Sequence, residues 1–212
     1  MKFLALSDLH ASEEALDRLR VIMMRENDYD WIFIVGDITT NGPVSYAEDL
    51  LDILREKGLF VHGNMDPFPV QKLIEQKGAS VHGKKINIGE WNVVGLGGSN
   101  PTPFGTPCEY SEEAIEKCIS DSNMDEYSIF LSHPPPFGLF DTVGVGVHVG
   151  SVSVRKAIED KKPILCICGH IHEHQGKVLH KETTVVKLGS GEKLNAAEIT
   201  IKDEIKVSFI KI

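Results

Sequence analysis

The sequence predicts an α/β fold, a sheet of apolar strands covered by helices on its faces. Two observations carry this prediction. Solid apolar runs recur through the first third of the chain, each long enough for a buried strand and free of turn residues. Each run is followed by a segment whose apolar residues return every three or four positions, the spacing of an amphipathic helix.

The first run, residues 3–6, stops abruptly at Ser7, Asp8 and His10. Ser12 then caps a helix with Glu13 and Glu14 in its first turn, and Leu16, Leu19, Ile22 and Met23 carry its apolar stripe to about Glu26. Residues 31–35 form the second strand, ended by Gly36-Asp37, and after a turn at Asn41-Gly42-Pro43 a second helix fits residues 46–57. Residues 59–62 form the third, ended by Gly63-Asn64-Met65-Asp66, and a shorter helix over 70–76 closes at Gly78.

The pattern then shifts to short strands without helices, over 80–82, 85–88 and 91–96, expected as antiparallel meanders. A loop rich in proline and glycine over 99–110 leads to a capped helix at 111–120, and a strand at 128–131 ends in Ser132-His133. Residues 134–150 are the longest irregular segment, read as a functional loop or lid within one domain spanning 1–212. A helix over 151–160 and a buried strand over 163–168 follow, the strand ending in Gly169-His170-Ile171-His172. The rest, 183–188, 196–201 and 204–210, reads as antiparallel strands.

Composition bounds the partners. The net charge of −9 and the absence of a Lys- or Arg-rich block argue against a nonspecific grip on nucleic acid or an acidic membrane. No apolar run reaches the length of a membrane span and the first residues carry no signal-peptide pattern, so a soluble, cytoplasmic protein is expected. The four cysteines, Cys108, Cys118, Cys166 and Cys168, contain no Cys-x-x-Cys and are read as reduced thiols, the last two as small core residues.

The polar residues that end the strands matter most. In Asp8-x-His10 the two side chains point to one side of extended backbone and can grip one metal, although an aspartate after a strand also serves as a helix cap or turn residue. Parallel strands bring their carboxyl ends to one edge, so Asp8, His10, Asp37, Asn64, His133, His170 and His172 converge if the strands are as read. Two carboxylates, one amide and four imidazoles exceed one tetrahedral zinc but suit two cations sharing a bridging carboxylate. Mixed oxygen and nitrogen donors favour manganese, iron, zinc or cobalt over magnesium, and manganese is the expected pair.

The series D-x-H, G-D, G-N, a lone His and G-H-x-H resembles the calcineurin-like metallophosphoesterases, here as Asp8-Leu9-His10, Gly36-Asp37, Gly63-Asn64, His133 and Gly169-His170-Ile171-His172. The resemblance runs from the first strand to about residue 176. It implies a four-layer α/β/β/α sandwich of two mostly mixed sheets, with a binuclear metal centre. It further implies that Asp8, His10 and His172 hold one metal, that Asn64, His133 and His170 hold the other, and that Asp37 bridges. A water between the cations then attacks phosphorus while the cations neutralise phosphoryl oxygens.

One departure shapes the expected reaction. Many family members place a proton-donating histidine after the G-N asparagine, where this chain has Met65. Small prokaryotic members that share this lack are associated mainly with phosphodiesters, so a phosphodiesterase acting on a small phosphoester, possibly a nucleotide, is expected. The alternatives are a phosphomonoesterase or protein phosphatase, and a non-catalytic scaffold like the retromer subunit of the same fold. Asn64 and His148 are the expected catalytic residues, His148 as replacement acid or phosphate-positioning group; its other reading is a surface loop histidine. Asp66 is read as an orienting carboxylate or as a helix cap, Glu173 and His174 as supporting or solvated, and His62, His82 and His180 as without chemical role. Phe104, Phe137 and Phe140 either wall a substrate pocket or pin their loops.

Overall fold

The computed structural model describes residues 1–25 and 28–212. Its strands are β1 (Lys2–Leu6), β2 (Trp31–Val35), β3 (Gly58–Val61), β4 (Lys85–Asn87), β5 (Asn92–Leu96), β6 (Ser128–Ser132), β7 (Thr142–Val143), β8 (Val147–His148), β9 (Leu165–Cys168), β10 (Gly176–His180), β11 (Thr183–Lys187), β12 (Asn195–Ile201) and β13 (Ile205–Lys211). Its helices are α1 (Glu13–Met24), α2 (Val44–Leu54), α3 (Phe68–Gln76), α4 (Glu112–Asp121) and α5 (Val152–Lys161).

Two mixed sheets stack face to face, in the orders β13-β12-β1-β2-β3 and β10-β11-β9-β6-β5-β4. β1, β2 and β3 are parallel, as are β5, β6, β9 and β11, while β12, β13, β4 and β10 run antiparallel to their neighbours. Strand alternation sorts the apolar residues into three layers. Leu4, Leu6, Ile32 and Ile34 turn outward onto Leu16, Leu19, Leu50 and Ile74 of the first three helices. Phe3, Ala5, Phe33 and Val35 turn inward to meet Ile129, Leu131, Leu165 and Ile167 of the other sheet. Phe130, Cys166 and Cys168 face Ile115, Ile119, Val154 and Ile158 of α4 and α5. The result is the expected α/β/β/α sandwich, and three of the four cysteines are buried free thiols.

Several elements differ from expectation. Residues 80–82 make only isolated bridges, Ser80 to Phe60 and His82 to Gly95, because Gly83 turns the chain away at once. β5 is not part of a meander: its other neighbour, β6, is parallel. β11 likewise pairs in parallel with β9. β10 has no counterpart in the sequence reading, since it is an edge strand with an exposed centre and lacks the apolar alternation that would mark it. α2 and α3 each begin two residues early, beside Pro43 and Pro67, which preset helical entry. α1 is described to Met24; the Glu26 expected near its end lies outside the described residues. Residues 134–150 contain the small β7–β8 hairpin.

Candidate metal centre

Within each sheet the strands that deliver polar residues are mutually parallel, β1, β2 and β3 in one and β6 and β9 in the other, so all deliver at one edge. The two sheets are tied there. His133 Nδ1 lies 2.9 Å from Val35 O and His170 N donates to both oxygens of Asp8 at 3.1 Å, while within the sheets Ser7 Oγ donates to Val35 O at 2.6 Å and Gly169 N to His133 O at 3.1 Å. The chain leaves the strands in tight turns: Asp8, His10, Asp37 and His170 all adopt left-handed backbone (φ 56°, 48°, 47° and 71°). Such conformations cost about 1–3 kcal/mol each in non-glycine residues and persist only where their surroundings hold them. Here Asp8 N donates to Gly36 O at 2.9 Å and His10 N to Asp37 O at 3.0 Å. Two glycines allow the approach, since a Cβ on Gly36 would stand 2.1 Å from His133 Nδ1 and one on Gly63 would stand 2.0 Å from Asp37 Oδ1.

Two clusters of ligating atoms result, Asp8 with His10 and His172, and Asp37 with His133 and His170; within each, all lie within 4.8 Å of one another. In the first, His172 Nε2 is 3.3 Å from His10 Nε2 and 3.5 Å from Asp8 Oδ1. In the second, His133 Nε2 is 3.4 Å from Asp37 Oδ1 and 3.0 Å from Asn64 Oδ1. The other Asp37 oxygen lies 4.0 Å from His10 Nε2, so this carboxylate faces both clusters. All seven residues singled out in the sequence therefore stand at this edge. Two ligand atoms on one cation, each about 2.1 Å from it, lie roughly 3.0–3.4 Å apart, close to the 3.0–3.5 Å of the four shortest contacts given above.

The protons tell the same story. Val35 O can only accept, so the 2.9 Å contact from His133 Nδ1 places a hydrogen on that nitrogen. His133 Nε2 then confronts two further acceptors, Asn64 Oδ1 and Asp37 Oδ1, an arrangement that needs either a second proton or a shared cation. Burial opposes charge on His133, but the Asp37 and Asp8 carboxylates and the Val35 carbonyl outweigh it and raise its pKa to about 9 without metal. Burial and neighbouring His133 push His170 down to about 4. Burial would raise Asp8, yet His172, His133 and Lys187 hold it well below the usual carboxylate range. Carboxylates, imidazole nitrogens and an amide oxygen converging with opposed lone pairs fit divalent cations.

The remaining expectations resolve variously. Asp66 is neither a histidine partner nor a helix cap. Fully buried, it accepts from Ile38 N, Gly63 N, Thr39 N and Thr39 Oγ1 at 2.7–3.1 Å, clamping the Asp37 and Asn64 turns together. Met65, which follows Asn64, donates its N–H to Asp37 Oδ1 at 2.9 Å. His148 belongs to neither cluster. It lies on β8 with Nδ1 2.7 Å from Asp141 Oδ1 and its ring 5.3 Å from that of Phe137. His174 Nε2 meets Thr142 Oγ1 and Thr142 O at 2.8 Å and so anchors the 134–150 loop. Buried His62 packs its ring with those of half-buried His82 and Tyr110, and His180 pairs with Glu159. Phe140 packs on the α4–α5 core, as a loop pin does, whereas Phe104 is 85% and Phe137 41% exposed.

The sequence reading missed three groups near this edge. Asp141, fully buried, accepts from Gly138 N and Gly150 N as well as from His148. Glu109 gathers the 99–110 loop about one oxygen, taking Thr102 Oγ1 at 2.6 Å, Thr106 N at 2.8 Å and Thr106 Oγ1 at 2.6 Å. Lys187, also fully buried, donates to Leu188 O at 2.6 Å. Lys187 alone had a signal, a lysine inside an apolar strand run.

Residues 1–174 match the calcineurin-like phosphoesterase family. An uncharacterised protein of Methanocaldococcus jannaschii is 36% identical, over 82% of this chain and 81% of its own length. Among solved structures, TT1561 of Thermus thermophilus aligns with a TM-score of 0.74 at 18% identity, covering 98% of this chain and 97% of that one. A dimetal phosphatase from Danio rerio aligns with a TM-score of 0.65 at 11% identity over 100% of this chain and 98% of its own. At these identities the solved structures speak to the fold. No helix among the described residues is long and apolar enough to cross a membrane.

Proposed function

The chain belongs to the calcineurin-like phosphoesterase family, and on that premise we propose that it is a binuclear metal-dependent phosphodiesterase. The observation that carries the reading is the pair of three-residue clusters sharing one sheet edge, with Asp37 facing both. Asp8, His10 and His172 would hold one cation, and Asn64, His133 and His170 the other, with Asp37 between them. Manganese suits the mixture of oxygen and imidazole donors. When bound, such a pair supplies a nucleophile from water near neutral pH and neutralises charge on the phosphoryl oxygens.

The chain's own residues argue for a diester. Residues 99–110 and 134–150 contain no Lys or Arg, so neither loop brings a cation to meet the second charge of a monoester or a polyphosphate. Exposed Phe104 and Phe137 offer faces to an apolar or planar substituent such as a nucleobase. Met65 cannot carry a proton, and His148 is the candidate donor to the leaving oxygen. Asp141 accepts from His148 Nδ1, which leaves Nε2 as the atom free to hold and deliver a proton.

The test is paired: metal content of the purified protein, and hydrolysis of an activated phosphodiester beside the matching monoester, with manganese and with chelator. The reading expects about two metals per chain and a chelator-sensitive preference for the diester. Monoester preference would overturn the diesterase reading. A chain that binds no manganese and cleaves neither ester would make the site a relic on an interaction scaffold.

A further inference from the structure

We infer that Glu109 and Thr106 form a hydrogen-bond relay that turns the Asn64 amide so that its oxygen faces the Asp37–His133–His170 cluster, which makes the 99–110 loop a positioning part of the metal centre. The inference rests on the metal-centre reading above and adds two residues outside the family's motifs.

The polarity of the relay follows from donor counting. A carboxylate only accepts, and a threonine hydroxyl has one proton. Thr106 Oγ1 spends that proton on Glu109 Oε1 at 2.6 Å, so toward any other neighbour its oxygen acts as an acceptor. The neighbour is Asn64, 3.0 Å away, which must therefore present its NH2. The amide oxygen is thereby turned the other way, to a point 3.0 Å from His133 Nε2. The opposite amide orientation would set two acceptors against each other at Thr106 and aim an NH2, which cannot ligate a cation, into the cluster. Main-chain donors hold the relay in place: Cys108 N donates to Asn64 O at 3.0 Å, and Thr106 N donates to Glu109 Oε1 at 2.8 Å. Burial would raise the Glu109 carboxyl, but the hydrogen bonds from Thr102 and Thr106 bring it down to about 2, so it stays an acceptor at neutral pH. Thr102 Oγ1 also donates to Glu109, at 2.6 Å, yet makes no link in the chain to Asn64. It serves as an internal control.

The relay is tested by titrating the metal-free full chain with Mn2+ alone and following free Mn2+ by electron paramagnetic resonance. Thr106→Val, which takes away the acceptor for the Asn64 NH2, and Glu109→Leu, which takes away the acceptor for the Thr106 hydroxyl and frees its proton for Asn64, are expected to weaken one of the two bound ions by about 10- to 100-fold, the usual cost of losing an outer partner of a metal ligand. Glu109→Gln is the matched control, because its carbonyl oxygen can keep all three donors that Glu109 Oε1 takes, and it should bind both ions as in wild type. Thr106→Ser keeps the hydroxyl and should restore wild-type affinity. Thr102→Ala, which loosens the loop without touching the relay, should leave both ions bound as in wild type. Wild-type affinity in both Thr106→Val and Glu109→Leu would overturn the relay, as would a Thr102→Ala loss equal to that of Glu109→Leu. A wild-type chain that takes up no Mn2+ would instead overturn the metal-centre reading on which the relay stands.

Discussion

At the ligand edge each candidate side chain follows the last residue of a parallel strand by no more than four positions, and at Asp8, His10, Asp37 and His170 left-handed backbone turns the chain there, held at Asp8 and His10 by main-chain bonds. In the loops over 99–110 and 134–150 no long strand supplies direction. Each loop is gathered instead about one carboxylate, Glu109 in the first and Asp141 in the second, that takes three hydrogen bonds from its own loop. The difference separates two kinds of precision. The edge is built by the fold and tolerates little, whereas the loops are built by single side chains and can be altered one function at a time.

The largest effect should come from the edge. Asp37→Asn removes the carboxylate charge that faces both clusters, so metal uptake in both should fall, by more than the roughly 10- to 100-fold that an outer partner costs, with activity following. Metal content and turnover of an activated diester check this together. If the variant kept both metals and full activity, the edge would be as divisible as the loops and the comparison would collapse.

A loop change should cut one property and spare the other. His148→Ala is expected to leave metal content intact and to slow diesters with poor leaving groups by about 10²-fold or more, with little change for an activated aryl diester. Asp141→Asn should show the same leaving-group dependence to a smaller degree, about tenfold: its amide must turn its oxygen to Gly138 N and Gly150 N and so offers an NH2 to His148 Nδ1, which disfavours the doubly protonated imidazolium that a leaving-group acid needs. A leaving-group series at fixed metal concentration measures both. Equal slowing of all substrates would make His148 a mere anchor of its loop.

The same division explains what could be read from the sequence. Asp8, Asp37, Asn64, His133, His170 and His172 were legible because each interrupts or follows an apolar run, and sheet geometry does the rest. Even the α/β alternation up to Gly78 was legible on those terms. β10 was not, because an exposed edge strand leaves no apolar periodicity, and the meander expected around β5 failed because pairing partners are decided across the sheet. Asp141 and Glu109 stand in proline- and glycine-rich stretches where an acidic residue reads as solvated. Their importance arises from tertiary folding, which surrounds them with donors. Asp66 was noticed as a polar residue near the ligands, but its true task of binding two turns together required knowing that residues 37–39 and 63–66 lie side by side.

A smaller effect is expected at the loop surface. Phe104 is 85% exposed, so Phe104→Ala should change stability by no more than about 0.5 kcal/mol. If its ring meets a planar substituent, the loss of about 0.5–1.5 kcal/mol of aromatic contact raises KM a few-fold for aryl or nucleoside diesters and leaves kcat unchanged. Steady-state kinetics on an aryl and an alkyl diester separate the cases. An equal change for both would remove Phe104 from the binding surface.

The finest test of the contrast is a single proton in the first loop. Glu109 is depressed to about 2 in the folded chain, burial being outweighed by donors from Thr102 and Thr106, against about 4.3 for a free glutamate. A carboxyl lowered by folding contributes stability that is fully present above its unfolded value and is lost as pH falls toward the folded value. The loop should therefore stay gathered from neutral pH through the range where an ordinary glutamate titrates, and loosen only nearer pH 2. The Thr106 amide proton, bonded directly to Glu109 Oε1, reports this in NMR spectra taken down the pH scale. No inflection is expected between pH 6 and about 4, and Thr102→Ala should move the midpoint up by removing one donor. A wild-type midpoint near 4.3 would mean that Glu109 is not the centre of its loop, and the parallel drawn between it and Asp141 would lose its first member.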